Sequence, residues 1–518
     1  MTLARGVAAM ANRCIPGDRG SGGRDMFPWQ IVLLARLTGL RHLLWLLAVL
    51  CVSYSPASAA TLSFTVNTSE PVVVTGTPRI AIDVGGVTRY ATYASGSGSS
   101  ALTFGYAVQA GDFDANGITL VSPLQLNGGS IADVAGNPAS VLTFTLPATS
   151  SLKVQTYTTS FTTSPITNAN ANAISFAIAK APTGAAFTYS ISSSGGAGTV
   201  AGSGTISGVT HTVSNVDVSA LPSGTLTLSV TVSTAAGGTG AAKTATSTPS
   251  FTGVLDSLPA SAASFSVRRL RSAYSGPLLR VRRSTDSAAQ DIGVTVAGNL
   301  DTAALTSFCG SASCFVTTWY DQSGNGRSAV QATDSAQPAL VTSGVIERLN
   351  SRPGARFATG WVMAAPNSLT NSNEFTVSMT MVERTRSNPI TFRLLASNLN
   401  TNRVFAHIPH NNNGGTLYFD VGSYASPYRI SQVWTLPVGA PAIVSLRNSA
   451  SAVTRSVYVN GSFLVSGNGY AAASDIFGFG ENYLGQISEV ILFPSSIADG
   501  DRQTLERSQG DYYGITVP

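Results

Sequence analysis

The chain has 518 residues, 43% of them hydrophobic and only 11% charged, with a formal net charge of +5. With 51 glycines and 4 cysteines it is neither a disulfide-stapled miniprotein nor a charged, disordered tail, and its length allows about three domains. The first 60 residues hold 6 of the 30 basic and 2 of the 25 acidic residues, so 24 stand against 23 in the remainder, a balance that excludes nucleic acid and anionic lipid as partners.

Those first residues predict a leader. Between His42 and Ala59 an apolar core runs from Leu43 to Val52, preceded by Arg36 and Arg41 and followed by the small residues Ala57-Ser58-Ala59. This is the pattern of a secretory signal cleaved near Ala59, with Met1 or Met26 as the start. The core is about half of what a spanning helix needs, and no later segment is apolar enough to anchor the chain. We expect a secreted or cell-surface protein without a transmembrane anchor. Cys14 and Cys51 leave with the leader, so Cys309 and Cys314 remain to pair as a local disulfide in an oxidising compartment.

From residue 61 to 149, apolar residues alternate with polar ones at Leu62/Phe64/Val66, Ile80/Ile82/Val84 and Leu102/Phe104/Tyr106/Val108, the period of half-buried strands. Turns such as Gly85-Gly86 and Gly128-Gly129 separate them, which predicts an antiparallel sandwich. The segments SEPVVVTGTPRIAIDVGGVTRYATY, AGDFDANGI and IADVAGN resemble a bacterial immunoglobulin-like module. Within them, Asp112, Asp114 and Asn116 offer oxygens at alternate positions, like the opening half of a calcium loop, and Asp133 lies in reach of completing a site. Pro123 stands where such a loop needs its bidentate Glu, so an Asx-rich turn is the competing reading. No other cofactor is expected.

A second immunoglobulin-like module is predicted from 150 to 252, on the strand patterns ISFAIA, FTYSIS and LTLSVTVS. Before Lys243 its ionised side chains are Lys153, Lys180 and Asp217, too few for acid/base chemistry. The stretch AAGGTGAAKTATSTPS at 235 to 250 reads as a terminal strand or the start of a linker.

The remainder, 253 to 518, reads as a two-sheet jelly roll, so the fold class is all-β throughout. Phe375/Val377/Met379/Met381 alternate strictly, and SVYVNGSFLVSG predicts a hairpin turning at Asn460-Gly461. QISEVILF is the last strand, and one short helix is expected from Asp499, as N-cap, to Arg507. Arg280 and Arg282 share a strand face, with Asp286 and Asp291 as expected partners.

Two segments here, YSGPLLRVRRSTDSAAQDIG and FCGSASCFVTTWYDQSGNG, resemble the α-L-arabinofuranosidase B catalytic domain of glycoside hydrolase family 54. The hairpin VYVNG and the ending GENYLGQISEVILF…ERSQGDYYGI resemble laminin G modules, and both likenesses imply a concanavalin A-like fold. The enzyme likeness implies a Glu nucleophile two residues beyond a sugar-holding Asp, and an Asp acid/base directly after a glycine pair. Asp420 in LYFDVGS matches the sugar-holding residue, Gly422 stands at the nucleophile position, and Glu481 after Gly478-Phe479-Gly480 matches the acid/base. The family's adjacent disulfide-bonded cysteines have no counterpart.

Candidate sugar contacts are Asp420, Asp321, Asn325, Trp319, His410 and Asn412; for Asp321 and Asn325 a self-stabilised turn is the competing reading, and for Trp319 packing in the sandwich. The expectation is a secreted, glycan-directed protein whose last domain binds polysaccharide or a cell-surface glycan, or mediates adhesion. The alternatives are a retaining arabinofuranosidase using Glu481 and Asp420, and a structural component of a surface or matrix.

Overall fold

The computed structural model describes residues 60–366, 373–395, 401–411, 414–470 and 476–518. The predicted leader therefore lies outside the described residues, as does Asn412. What is described is almost wholly β, around three large hydrophobic cores and a smaller one of Leu255, Leu270, Ile491, Phe493, Ile497 and Leu505.

The first core is built on the predicted alternation. Leu62, Phe64, Ile80, Ile82, Leu102 and Phe104 point inward from a six-stranded antiparallel sheet in the order 119–125, 79–84, 87–95, 99–107, 61–75, 130–133. Thr61–Thr75 breaks register after Asn67, so its first half pairs with Ser99–Ala107 and its second with Ser130–Asp133. The second core lies between a three-stranded sheet containing Ile174–Ala179 and a sheet centred on Ala186–Ser193 and Leu226–Thr234. Lys243–Ser247 pairs with the latter as a strand, which decides between the two readings of that stretch. Two segments reach into this second core from outside the predicted module: Phe113 and Ala115 from one side, and Val296 from the other. Val296 is held by the Leu221 carbonyl, and Ser223 donates to the Val294 carbonyl, both at 2.7–2.8 Å.

The third core fills a jelly roll whose sheets join into a nearly closed ladder. In its back sheet, Glu374–Glu383 lies between Pro441–Ser449 and Gly485–Phe493. The hairpin Thr454–Val459/Ser462–Gly467 turns at Asn460 and Gly461, both at positive φ, as a two-residue primed turn requires. Two helices decorate this frame. Thr302–Cys309 was not expected; it is capped by the Asp301 carboxylate, which accepts from the Ala304 amide at 2.9 Å, and it ends at the Cys309–Cys314 disulfide. The last helix spans Asp499–Tyr513 with Ala498 as N-cap, so Asp499 is its first residue rather than its cap, and it runs on to Gly514 at φ +66°. The extension has a physical reason, since Glu506, Gln509 and Tyr513 are buried and Gln509 hydrogen-bonds Ser378 of the back sheet.

Candidate functional site

One rung of cross-strand neighbours crosses the front of the jelly roll. It runs Asp291, Arg280, Thr318, Val330, Ala364, Gly478, Arg393, Phe405, Asp420, Arg429, each paired with the next. Directly paired residues share a sheet face, and the residues before and after them on each strand, such as Leu279, Trp319, Phe392, Phe419 and Ile430, fill the core. The rung therefore marks the outward face. Its centre is shallow, because Ala364 and Gly478 carry almost no side chain. Arg393 lies across that gap: a Cβ added at Gly478 would meet its Nε at 2.9 Å.

Asp420 is wholly buried and clamped by two guanidinium groups. Arg429 gives it a bidentate pair at 2.7 and 2.8 Å, and Arg403 from the neighbouring strand binds the same carboxylate. The bond to Asp420 raises the pKa of Arg429 despite partial burial. Behind them, burial lowers the Arg455 pKa to about 10, and this guanidinium serves the carbonyls of Phe419 and Tyr428. Arg429 stacks on Tyr418 at 4.4 Å, and the rings of His407 and His410 lie 6.1 and 5.5 Å from the same tyrosine. Burial lowers the His407 pKa, so this imidazole is a neutral hydrogen-bonding group at neutral pH, with Nδ1 beside the Pro389 carbonyl. The result is a wall of planar rings and guanidinium groups that can stack on a sugar ring and donate to its hydroxyls.

The predicted catalytic pair does not come together. Ile476–Glu481 and Thr416–Ser423 are separated by two strands, Ile390–Leu395 and Thr401–His410. Three spacings of about 4.8 Å separate the backbones of these two strands by about 14 Å, and Gly478 rather than Glu481 lies in line with Asp420. A retaining pair needs about 5–5.5 Å and an inverting pair about 6.5–9.5 Å. Each carboxylate has its own cation instead, Asp420 as above and Glu481 with Arg393.

Three other predicted contacts are corrected by burial and hydrogen bonding. Trp319 is fully buried, with its indole N–H on the Ser266 carbonyl at 3.2 Å, so no sugar can stack on it. Both Asp321 oxygens serve the chain itself, accepting from the amides of Ser264, Ser323 and Arg327 and from the Ser323 hydroxyl. Asn325 donates to the carbonyls of Ser261 and Ala262. The segment WYDQSGNG thus fastens its turn to the first strand of the domain.

The oxygens of the candidate calcium loop also accept hydrogen bonds from within the chain. Asp112 accepts from Arg89, the Tyr106 hydroxyl and the Gln109 amide, while Asp114 accepts from the amides of Gly85, Asn116 and Gly117. The Asn116 amide group reaches across to the Ala236 carbonyl.

Of the site residues, His410, Tyr418 and Asp420 share the outward wall. Sequence reasoning missed Arg393, Arg403, Arg429 and Tyr418. Alternation in NRVFAHIPH and LYFDVG could have placed Arg403 and Tyr418, since it separates Arg403/Phe405/His407 and Tyr418/Asp420 from the apolar residues between.

Comparison with known proteins follows this geometry only in part. Residues 255–352 match the family model described as alpha-L-arabinofuranosidase B, catalytic. The chain is 45% identical over 75 residues to the "Probable alpha-L-arabinofuranosidase B" of Aspergillus clavatus, covering 14% of this chain and 15% of that protein. It is 42% identical over 74 residues to the alpha-L-arabinofuranosidase of Hypocrea jecorina, again covering 14% and 15%. The chain thus spans about 15% of the length of the curated relatives it matches. Among solved structures, an arabinofuranosidase complexed with arabinofuranosyl-alpha-1,2-xylobiose superposes with a TM-score of 0.40 at 15% identity, over 49% of this chain and 63% of that one. The family-model match holds the disulfide and the Asp321 turn but neither Asp420 nor Glu481, so the chain resembles the arabinofuranosidase B catalytic domain in one segment of its jelly roll.

Proposed function

We propose that this is an exported protein directed at arabinofuranosyl-bearing polysaccharide, and that the outward wall around Tyr418, His407, His410 and Arg429 binds the sugar. The single observation that carries the sugar class is the match of residues 255–352 to the arabinofuranosidase B catalytic family. Binding is favoured over catalysis by Asp420 and Glu481 because two strands lie between them, Asp420 is buried under two arginines, and Glu481 is paired with Arg393. The two β units before the jelly roll then act as spacers that present it.

A second reading, hydrolysis of arabinose side chains, is supported by the same match, since the relatives named above are arabinofuranosidases. It requires Glu481 to work as acid/base with a partner other than Asp420.

The test is to incubate the purified protein with arabinoxylan and with 4-nitrophenyl α-L-arabinofuranoside. We expect retention on arabinoxylan, weakened about fivefold to tenfold in Tyr418→Ala through the lost stacking surface, and no release of nitrophenol. Turnover that disappears in Glu481→Gln would instead establish the second reading, and failure to bind or cleave would leave a structural role.

A further inference from the structure

The buried carboxylate of Asp420 holds two guanidinium groups, and each of them carries a tyrosine. On one side Arg429 lies over the Tyr418 ring at 4.4 Å. On the other, Arg403 lies over the rings of Phe405, at 4.5 Å, and Tyr424, at 5.4 Å. Tyr424, Arg403, Asp420, Arg429 and Tyr418 thus form one continuous series of contacts, and the outward wall described above uses only its Tyr418 end.

Tyr424 differs from the other rings of this series in being open to solvent. Phe405 is buried, Tyr418 is half-buried, and Tyr424 is 53% exposed. It stands just past the strand Thr416–Ser423, on a turn closed by the Tyr428 amide on the Ala425 carbonyl at 2.8 Å and by the Val421 amide on the Tyr428 carbonyl at 3.1 Å. Gly422 pairs with Arg403 at φ +94° and puts no side chain beside that guanidinium. A ring backed by a fixed cation and otherwise in water is a flat surface for the apolar C–H face of a sugar. Along the strand Tyr418 and Gly422 are about 13 Å apart, and Tyr424 packs on Arg403, the cross-strand neighbour of Gly422. A single furanose ring stacked on Tyr418 does not cover Tyr424, whereas the next unit of the same chain would.

We propose that Tyr424 is a second sugar-stacking position, which holds a unit of the polysaccharide backbone while an arabinofuranosyl group occupies the wall at Tyr418. The proposal rests on the arabinofuranosyl reading above and deepens it: the protein recognises the side chain together with the backbone that carries it, and Asp420 fixes both stacking surfaces at once through its two arginines.

Calorimetric titration of the protein with methyl α-L-arabinofuranoside and with a xylo-oligosaccharide carrying one arabinofuranosyl group tests it. The oligosaccharide is expected to bind more tightly. Tyr424→Ala should weaken the oligosaccharide about fivefold to tenfold and leave the small glycoside unchanged, Tyr424→Phe should retain full affinity, and Tyr418→Ala should weaken both ligands. Because Tyr424 lies on an exposed turn, the melting temperature of Tyr424→Ala should stay close to that of the parent protein, which separates lost stacking from lost folding. Oligosaccharide binding indifferent to Tyr424→Ala, or weakened equally for both ligands, overturns the second position and leaves the arabinofuranosyl reading standing. If neither ligand binds, that reading falls and the second position with it.

Discussion

The rung across the front sheet carries an aspartate–arginine pair near each end, and the two pairs differ in everything except chemistry. Asp291 and Arg280 face each other at 3.2 Å with 44% and 43% of their side chains exposed. Asp420 and Arg429 face each other at 2.7 Å, with the aspartate wholly buried and a second guanidinium, Arg403, on the same carboxylate. Water screens the first pair, which contributes little; the second has no such screen, and each charge there is tolerable only because the others remain. The same residue pair at the same pleat position is thus solvated decoration at one end and a framework for a binding wall at the other.

The largest effect that would sharpen this contrast is expected at Asp420. Its replacement by alanine leaves Arg403 and Arg429 facing each other without a counterion and should cost about 3–5 kcal/mol in urea unfolding. A loss below about 1 kcal/mol would mean that water reaches the clamp and would dissolve the distinction. Asp321→Ala should come next, about 1–3 kcal/mol, because it strands backbone amides rather than charges. If its cost equalled that of Asp420, the difference between amide and guanidinium partners would be immaterial.

A smaller effect separates two glutamates by pH. Burial pushes Glu347 up, but the Thr342 hydroxyl and the Arg356 guanidinium outweigh it and hold its pKa below 4.5. Its contribution to stability is therefore present above 4.5 and lost as pH falls through the folded value, and Glu347→Gln should remove that acid-side loss. For Glu506 burial prevails over Ser445 and Arg502, so its pKa lies above 4.5. Its contribution is present below 4.5 and lost as pH rises through the folded value, and Glu506→Gln should flatten that decline. Thermal melts between pH 3 and 8 would read both slopes, and parallel curves for the two variants would count against the assignment. The smallest effect belongs to the exposed pair: Asp291→Ala should leave the unfolding midpoint where it is.

How far the residues foretold this molecule depends on the distance over which each feature is decided. The hairpin at Asn460-Gly461 was legible because both positions demand positive φ, and the inward residues from Leu62 to Phe104 because alternation is a local property. The helix Thr302–Cys309 escaped notice, though Asp301 before Thr-Ala-Ala-Leu is an N-cap signal, because the strand patterns on either side dominate the composition. The turn around Asp321 was correctly readable as self-stabilised, since most of the donors it serves lie within six residues of it. The partners of Asp112 and Asp114 are decided over a longer range: Arg89 and Tyr106 come from other strands and Gly85 from the turn after Arg79–Val84.

The sequence by itself determined an all-β chain, a short disulfide and a segment resembling arabinofuranosidase B, because each of these is written in neighbouring residues. Only the tertiary structure decided that Asp420 belongs to Arg403 and Arg429 and Glu481 to Arg393. Strand register and the number of intervening strands set those distances, and neither quantity is carried by the spacing of residues along the chain.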